Sequence, residues 1–323
     1  MKGLILCAGK GTRLQPFSNV TSKVLIPIAN KPLLFYNIEK LLEIGIQEIG
    51  IVIQQAHEPL FKSIIGDGER WGVSITYLYQ AKALGIADAV KQAEGFIRLD
   101  PFILLLGDNL IDQTLTDLRD SILLGQHDGA LLLGEVEEPQ HYGVAEIKEQ
   151  HIVRLEEKPI HPKSNLAIMG AYAFTSKIFE AVHAITPSKR GEYEITDAIQ
   201  RLIEAHFAIS YTITYESHTD VGTIDRWLEA NRWVLQKFAS ENAPLSEQTI
   251  DSTNPQSPLV LIDPSSHLVA SEIGPFTTIG PHVYLENCHI EDCIILEGVS
   301  LKNVSLKGTI VSRDYWAQSA REA

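Results

Sequence analysis

The first hundred residues alternate short apolar runs with amphipathic segments, and this alternation restricts the fold more than any other feature of the chain. Residues 3–7, 49–53, 74–79 and 102–106 read as strands, the last of them strongly apolar. Between them, residues 32–44, 59–65 and 87–96 carry helical periodicity. The first of these helices has Leu33, Leu34, Ile38, Leu41 and Leu42 on one face, Pro32 in its first turn and Gly45 at its end. Strands separated by helix-length segments predict a mainly parallel sheet with helices on both faces.

From Gly129 to Phe174 the pattern changes to several strands with turn signals, which predicts a mixed or antiparallel extension of the sheet. Helical patterns return at 176–184, 195–205 and 223–236. A Ser-, Asn-, Pro- and Gln-rich stretch beginning near Ala239 then lacks any period, so residues 1–240 form one domain and 241–258 a linker. Beyond it, Ile273, Ile279 and Leu285 recur every six residues, with Gly274 and Gly280 each followed by proline. Hexapeptide spacing is the signature of a parallel β-helix, so residues 259–323 are expected to form a short one, of about three coils, docked on a neighbour. A few hairpins would be the plainer alternative. His267, His282 and His289 lie in this tail, but it is too short to build a cofactor groove, and it reads as a packing or assembly element of a homo-oligomer.

The formal net charge of the 323 residues is -14, which argues against phosphate-backbone binding to nucleic acid, since that needs a basic face. A mononucleotide needs only a few cations placed locally. Cys7, Cys288 and Cys293 show no zinc-like spacing and no disulfide framework, and so sparse a count fits a reducing cytoplasm. The apolar start breaks at Gly9, too early for a signal peptide, and no apolar run is long enough to cross a bilayer. The four tryptophans read as structural.

In an open parallel sheet, ligands bind beyond the carboxyl ends of the strands. After the first strand come Ala8, Gly9, Lys10, Gly11, Thr12 and Arg13. Glycines let backbone N–H groups approach phosphate oxygens, and an arginine engages them bidentately. Lys23 adds a second cation ten residues later. Neither GxxxxGK[ST] nor GxGxxG is present, because Leu14 holds the third glycine position. After the third strand, Gln80 and Gly85 precede a helix start, where an amide can meet a base edge. After the fourth, Asp108 sits where a hard cation could bind with phosphate oxygens. Asp220, before the helix at 223, supplies a second carboxylate. Taken singly, each is as well explained as a turn or a helix cap.

Taken in order, these segments resemble the sugar-1-phosphate nucleotidyltransferases, and among them the glucose-1-phosphate thymidylyltransferases. The matches include Cys7-Ala-Gly-Lys-Gly-Thr-Arg-Leu14, Lys23-Val-Leu-Ile-Pro-Ile-Ala-Asn-Lys-Pro32, Leu84-Gly-Ile-Ala87 and Gly107-Asp-Asn109. They continue through Tyr142-Gly-Val-Ala-Glu-Ile147, Glu156-Glu-Lys-Pro159, Gly170-Ala-Tyr-Ala-Phe174, Glu192-Tyr-Glu-Ile-Thr-Asp197 and Asp220-Val-Gly-Thr223. The resemblance implies a Rossmann-like three-layer α/β domain with a left-handed β-helix tail. It implies Mg²⁺-dependent joining of dTTP to glucose 1-phosphate, with release of pyrophosphate. Arg13 and Lys23 would meet the triphosphate, together with Ala8, Gly9, Gly11 and Thr12 of the loop. Gln80 and Gly85 would meet the base, and Asp108 and Asp220 the metal. Lys158 would contact the sugar phosphate, and Gly143, Glu157 and Gly170 the sugar hydroxyls. Tyr172 lies beside them but reads as core, since it alternates with Ala171 and Ala173. Ala8 and Val24 stand where thymidylyltransferases commonly carry Gly and often Gln. A UTP-dependent uridylyltransferase and a non-catalytic sugar-nucleotide-binding subunit are therefore the competing readings.

Overall fold

The structure, a computed structural model, describes residues 1–9, 11–19, 21–240 and 259–320. The expected linker at 241–258 lies outside the described residues, as does Lys10. The chain forms two compact units: Met1–Lys10 with Leu34–His218, and Gly11–Leu33 with Thr219–Ala323.

The first unit is built on a nine-stranded sheet. Lys2–Leu6 pairs in parallel with Glu48–Ile53 on one side and Phe102–Leu106 on the other, and Ser74–Tyr79 continues the sheet beyond Glu48–Ile53. Leu166–Phe174 runs antiparallel between Phe102–Leu106 and Gly129–Glu135, and Ile209–Thr214 lies parallel on the far side of Gly129–Glu135. The hairpin Gly143–Lys148 and His151–Glu157 joins the first half of Leu166–Phe174 through Ala167 and Val144. The mixed, mainly parallel sheet read from the sequence is present.

Strand alternation buries both sheet faces. Leu4, Val52, Phe102, Leu104, Leu131 and Tyr172 pack with the helices Ile86–Gln92, Ile178–Ala184 and Ile195–Glu204. Residues of opposite parity (Ile5, Ile51, Ile103, Leu105) are equally buried. On that face the helix Leu33–Glu43 approaches so closely that a methyl group on Gly3 would lie 2.5 Å from Leu41 Cδ1.

Three sequence expectations are corrected. Pro32 ends the short strand Lys31–Pro32, paired with Pro27–Ile28, so the helix starts only at Leu33. Residues 87–96 form two short helices, Ile86–Gln92 and Glu94–Ile97, because the chain turns at Ala93. Trp316 is largely exposed, whereas Trp227 is fully buried. The helix Thr116–Leu123 went unread, its period being weak among polar residues.

In the second unit, residues 260–311 wind into a parallel β-helix of three sheets. Val260–Ile262, Thr277–Ile279, Ile294–Ile295 and Thr309–Val311 stack on one face. His267–Val269, Tyr284–Glu286 and Ser300–Lys302 form the second, and Glu272–Ile273, His289–Glu291 and Ser305–Lys307 the third. The six-residue repeat is the step from face to face: Ile273, Ile279 and Leu285 all point into the core. At the corners, left-handed residues stack in columns: Ala270, Asn287 and Asn303; Phe276, Asp292 and Gly308; His282 and Gly298. Asn and Asp suit such corners because their short polar side chains tolerate positive φ. Asn287 Nδ2 also donates to Asn303 Oδ1 of the next coil at 2.7 Å.

The first face is buried on its outside as well, through Thr278, Ile294 and Ile310. It docks on the helix Ile224–Ser240, where Thr278 Oγ1 donates to Asn231 Oδ1 at 2.9 Å. Asn287→Val, which puts a β-branched residue at φ 53° and removes the amide ladder, should cost about 1–2 kcal/mol in denaturant unfolding. Asn287→Gly should cost less. Equal losses would show that the corner conformation carries no strain.

Candidate functional site

In the first unit, in-register parallel strands deliver several polar loops to one sheet edge. Cys7 N donates to Val52 O at 2.7 Å, Gly107 N to Leu6 O at 3.0 Å, and Gln80 N to Ile53 O at 3.0 Å. Gly107 must lack a side chain, since a methyl group there would lie 2.7 Å from Cys7 Sγ. Ala8 is buried, and Gln54 Nε2 donates to its carbonyl at 2.9 Å, while Gly9 is exposed.

Gln80 is only 3% exposed. Its Nε2 donates to Asp88 Oδ2 at 2.7 Å and to Gly85 O at 3.2 Å. Both amide hydrogens are thus committed inside the loop, which fixes the amide's orientation and leaves its carbonyl oxygen as the group to offer a ligand. Gly85 has φ 107°, and a methyl group on it would lie 2.5 Å from Tyr193 O. The loop is stitched there by Tyr193 N to Leu84 O at 2.7 Å and Ala87 N to Tyr193 O at 3.1 Å.

Asp108 is half-buried between two residues whose carbonyls are held by one amide. Asn37 Nδ2, from the helix Leu33–Glu43, donates to Gly107 O at 3.3 Å and Asn109 O at 3.1 Å. Asn109 Nδ2 in turn donates to Met169 O at 3.0 Å, and Gly170, with φ 73°, leaves that amide its space. The register of Leu166–Phe174 shifts at this point, between Ile168 and Tyr172.

Around Glu157 the structure gathers several sugar-site candidates. Gly143 lacks the Cβ that would lie 2.6 Å from Thr196 Cγ2 and 3.1 Å from Glu157 Oε2. Thr196 Oγ1 donates to Glu157 Oε2 at 3.2 Å, and Arg190 Nη1 to Glu157 Oε1 at 3.4 Å. Arg190 also reaches Glu192 at 2.8 Å and the buried Glu194 at 3.5 Å. Burial, and then the Glu194 charge, push the Glu157 carboxyl above its ordinary range, against the opposing pull of Lys158, Thr196 and Arg190. Lys158 is exposed, has φ 45°, and lies 3.9 Å from Glu157 Oε1. Tyr172 is core, as its alternation implied. Its phenol is pushed far up by burial, and further by the charges of Glu157 and Asp108.

The second unit brings together Gly11, Thr12, Arg13, Lys23 and Asp220. Gly11 has φ 60°, and a methyl group on it would lie 3.0 Å from Lys23 Cβ, so the lysine stem packs over the loop glycine. Thr12 and Arg13 are exposed in the turn Thr12–Leu14 that follows. A methyl group on Gly222 would meet Arg13 Nη2 at 2.9 Å and Asp220 Oδ2 at 3.3 Å, so this glycine keeps open the space beside a guanidinium and a carboxylate. Val24 is buried.

Asn37, Gln54, Asp88, Arg190, Thr196 and Gly222 were missed as individual residues. Gln54 follows a strand and Asn37 interrupts an apolar helix face, so both carried a signal; Arg190, in an exposed charged loop, carried none. Among the described residues no three His, Cys, Asp or Glu side chains cluster to cage a metal. Asp108 and Asp220 offer single carboxylates. A carboxylate is the kind of hard oxygen donor of which Mg²⁺ takes one or two, together with substrate phosphate oxygens.

The chain matches the family described as Nucleotidyl transferase over residues 2–237. It belongs to that family. The glucose-1-phosphate thymidylyltransferase of Streptomyces griseus is 38% identical over 90% of this chain and 81% of its own length. The low-salt glycan biosynthesis nucleotidyltransferase Agl11 of Haloferax volcanii is 36% identical over 90% and 86%. A crystal structure of UDP-glucose pyrophosphorylase complexed with UDP-glucose superposes with a TM-score of 0.64 at 26% identity, covering 73% of this chain and 98% of that one. The family uses small-molecule substrates, and no helix among the described residues is long and apolar enough to cross a membrane.

In this nucleotidyltransferase the loop following Gln80 depends on Gly85 being glycine. Gly85→Ala should destabilise the protein by about 1–3 kcal/mol, because backbone rather than a flexible side chain blocks the methyl group. Thermal unfolding would measure this, and an unchanged midpoint would mean that the loop is not pinned to Tyr193.

Proposed function

We propose that this chain is a Mg²⁺-dependent glucose-1-phosphate thymidylyltransferase. It joins dTTP to glucose 1-phosphate, giving dTDP-glucose and pyrophosphate. The observation that carries the reading is the Gln80 amide. Asp88 and Gly85 take its hydrogens, so its carbonyl oxygen is left to accept from a ligand N–H. Thymine and uracil offer such a donor at N3, whereas cytosine has an acceptor there.

An oxygen of the sugar phosphate attacks the α-phosphorus in line. One P–O bond forms as the bond to the bridging oxygen breaks, and pyrophosphate leaves with the electron pair. The nucleophile is already an anion, so positioning and charge stabilisation matter more than a general base. Arg13 and Lys23 neutralise the triphosphate and its leaving group, with Ala8, Gly9, Gly11 and Thr12 supplying the loop. Lys158 holds the sugar phosphate, while Gly143, Glu157 and Gly170 surround the sugar hydroxyls, with Tyr172 packed behind them. Asp108 and Asp220 would hold Mg²⁺, which supplies charge neutralisation on the phosphates. The enzyme works as a cytoplasmic homo-oligomer, and its tail is a left-handed β-helix.

Ala8 and Val24 favour a second reading, in which UTP is the nucleotide. The Gln80 oxygen does not separate the two bases, and an apolar contact with the thymine methyl is worth only about 1–3 kcal/mol. Pyrophosphate release should be measured with dTTP, UTP, CTP and GTP, each with glucose 1-phosphate and Mg²⁺. We expect dTTP to be preferred about 10-fold or more over UTP, with loss of turnover in Asp108→Asn. Equal rates with UTP would replace the thymidylyl assignment, and ligand binding without turnover would indicate the non-catalytic subunit.

Glu157→Gln should raise the sugar-phosphate KM about 10- to 100-fold, as loss of a charged acceptor implies, and leave the nucleotide KM unchanged. Because burial raises the Glu157 pKa, the carboxyl stabilises the fold at low pH, and that contribution disappears as pH rises through the raised value. The variant's melting temperature relative to the parent should therefore increase from pH 5 to pH 8. An opposite trend would show that Lys158 and Arg190 outweigh burial.

A further inference from the structure

The segment that joins Arg13 to the helix at Leu33 contains a left-handed backbone turn that one of its two residues, Ala29, does not favour. Pro27–Ile28 and Lys31–Pro32 pair as a two-residue hairpin, and the turn between them puts Ala29 at φ 47° and Asn30 at φ 59°. Ala29 is buried and carries a Cβ, so its left-handed conformation is disfavoured. A strained turn of this kind persists only where its surroundings over-determine it.

Those surroundings are the long helix and the β-helix. Asn231, 0% exposed, accepts from Ala29 N at 2.9 Å and from Thr278 Oγ1 at 2.9 Å. Its Nδ2 donates to Phe276 O at 3.3 Å. Asn30 Nδ2 donates directly to Ile279 O of the β-helix at 2.8 Å, and Trp227 Nε1 to Pro27 O at 2.7 Å. Nearer Arg13, Phe17 meets Trp227 edge-on at 5.6 Å, and also, at 6.5 Å, Tyr315 in the turn between Thr309–Val311 and the antiparallel strand Trp316–Gln318. The helix is clamped to the same tail by the bidentate pair of Arg232 with Asp292, and by Asp225, which accepts from Ser319 Oγ and Ala320 N. Lys23 lies within this braced segment. The chain around it is fixed by Leu25 N to Ser22 O at 2.9 Å and Leu33 N to Ile26 O at 3.0 Å, with Val24, Leu25 and Ile26 buried.

We infer that the β-helix is a positioning element for Lys23, acting through Asn231 and the Ala29–Asn30 turn. The inference rests on the reading of Lys23 as a triphosphate ligand. The tail then contributes to turnover without touching substrate, and does so within one chain.

Two variants loosen the brace with little change of shape. Thr278→Val removes the hydroxyl that holds Asn231 from the tail side. Asn30→Gly keeps the left-handed conformation and removes the bond to Ile279. Each is combined with Lys23→Ala in a double-mutant cycle on the full chain, reading kcat and the KM for nucleotide and for sugar phosphate, with melting curves alongside. Each brace variant alone should raise the nucleotide KM about 5- to 20-fold and change the sugar-phosphate KM less than about twofold. In the Lys23→Ala background the same substitutions should change the nucleotide KM less than about twofold. An equal loss in both backgrounds, or a fall in melting temperature with no kinetic effect, would make the tail a stabilising support only and overturn the inference. Unchanged turnover in Lys23→Ala alone would instead remove the triphosphate role of Lys23, and the inference with it.

Discussion

Parallel pairing of Lys2–Leu6 with strands on both sides is the constraint from which the rest of the first unit follows. Hydrogen bonds in register make the three strands end together, so whatever follows them emerges along one line. Cys7, Gln54 and Gly107 are delivered there by backbone geometry alone, and Gln80 by the next strand out. Apolar side chains bury both sheet faces, which leaves that edge as a place where buried polar groups can be held. Gln80 and Asn37 show how: each is almost entirely covered, and each spends its amide hydrogens on neighbouring acceptors rather than on water.

Glycines do the complementary work of making room. Gly85, Gly107, Gly143 and Gly222 each stand where a methyl group would run into a named neighbour, and each lies beside a functional candidate. Their packing differs in kind. Gly85 abuts backbone, so a side chain there would disturb the fold, whereas Gly222 abuts the end of the flexible Arg13 side chain, where a substituent would chiefly move the guanidinium.

Much of this was legible in the sequence for physical reasons. The nearly fully buried strand Phe102–Leu106 reads as an apolar run and the sheet places Asp108 after it, as it places Gln80 after the half-exposed edge strand Ser74–Tyr79. The six-residue spacing of Ile273, Ile279 and Leu285 likewise announced a coil that turns inward at every face. What escaped notice depends on partners remote in sequence. Arg190 looks like any loop arginine until Glu157 and Glu194 are seen beside it. Asn231 is one polar residue in a long amphipathic helix, and its three partners lie in segments some 45 to 202 residues away. Pro32, which closes a hairpin with Pro27, was read into the helix start because nothing local favours Ala29 at positive φ.

The corners of the β-helix determine how such a tail can change length. Residues before Gly274 pair with partners 17 positions ahead (Val260 with Thr277, Glu272 with His289), whereas Thr278 pairs 16 ahead with Ile294. The difference is one residue, and it is taken up in the corner Gly274–Pro275–Phe276 while every strand keeps its interior side chains inside. A strand has no such slack, because a one-residue slip turns its core residues outward. Insertions and deletions are therefore admissible singly at corners and otherwise only as entire coils, so the tail grows or shrinks in quanta.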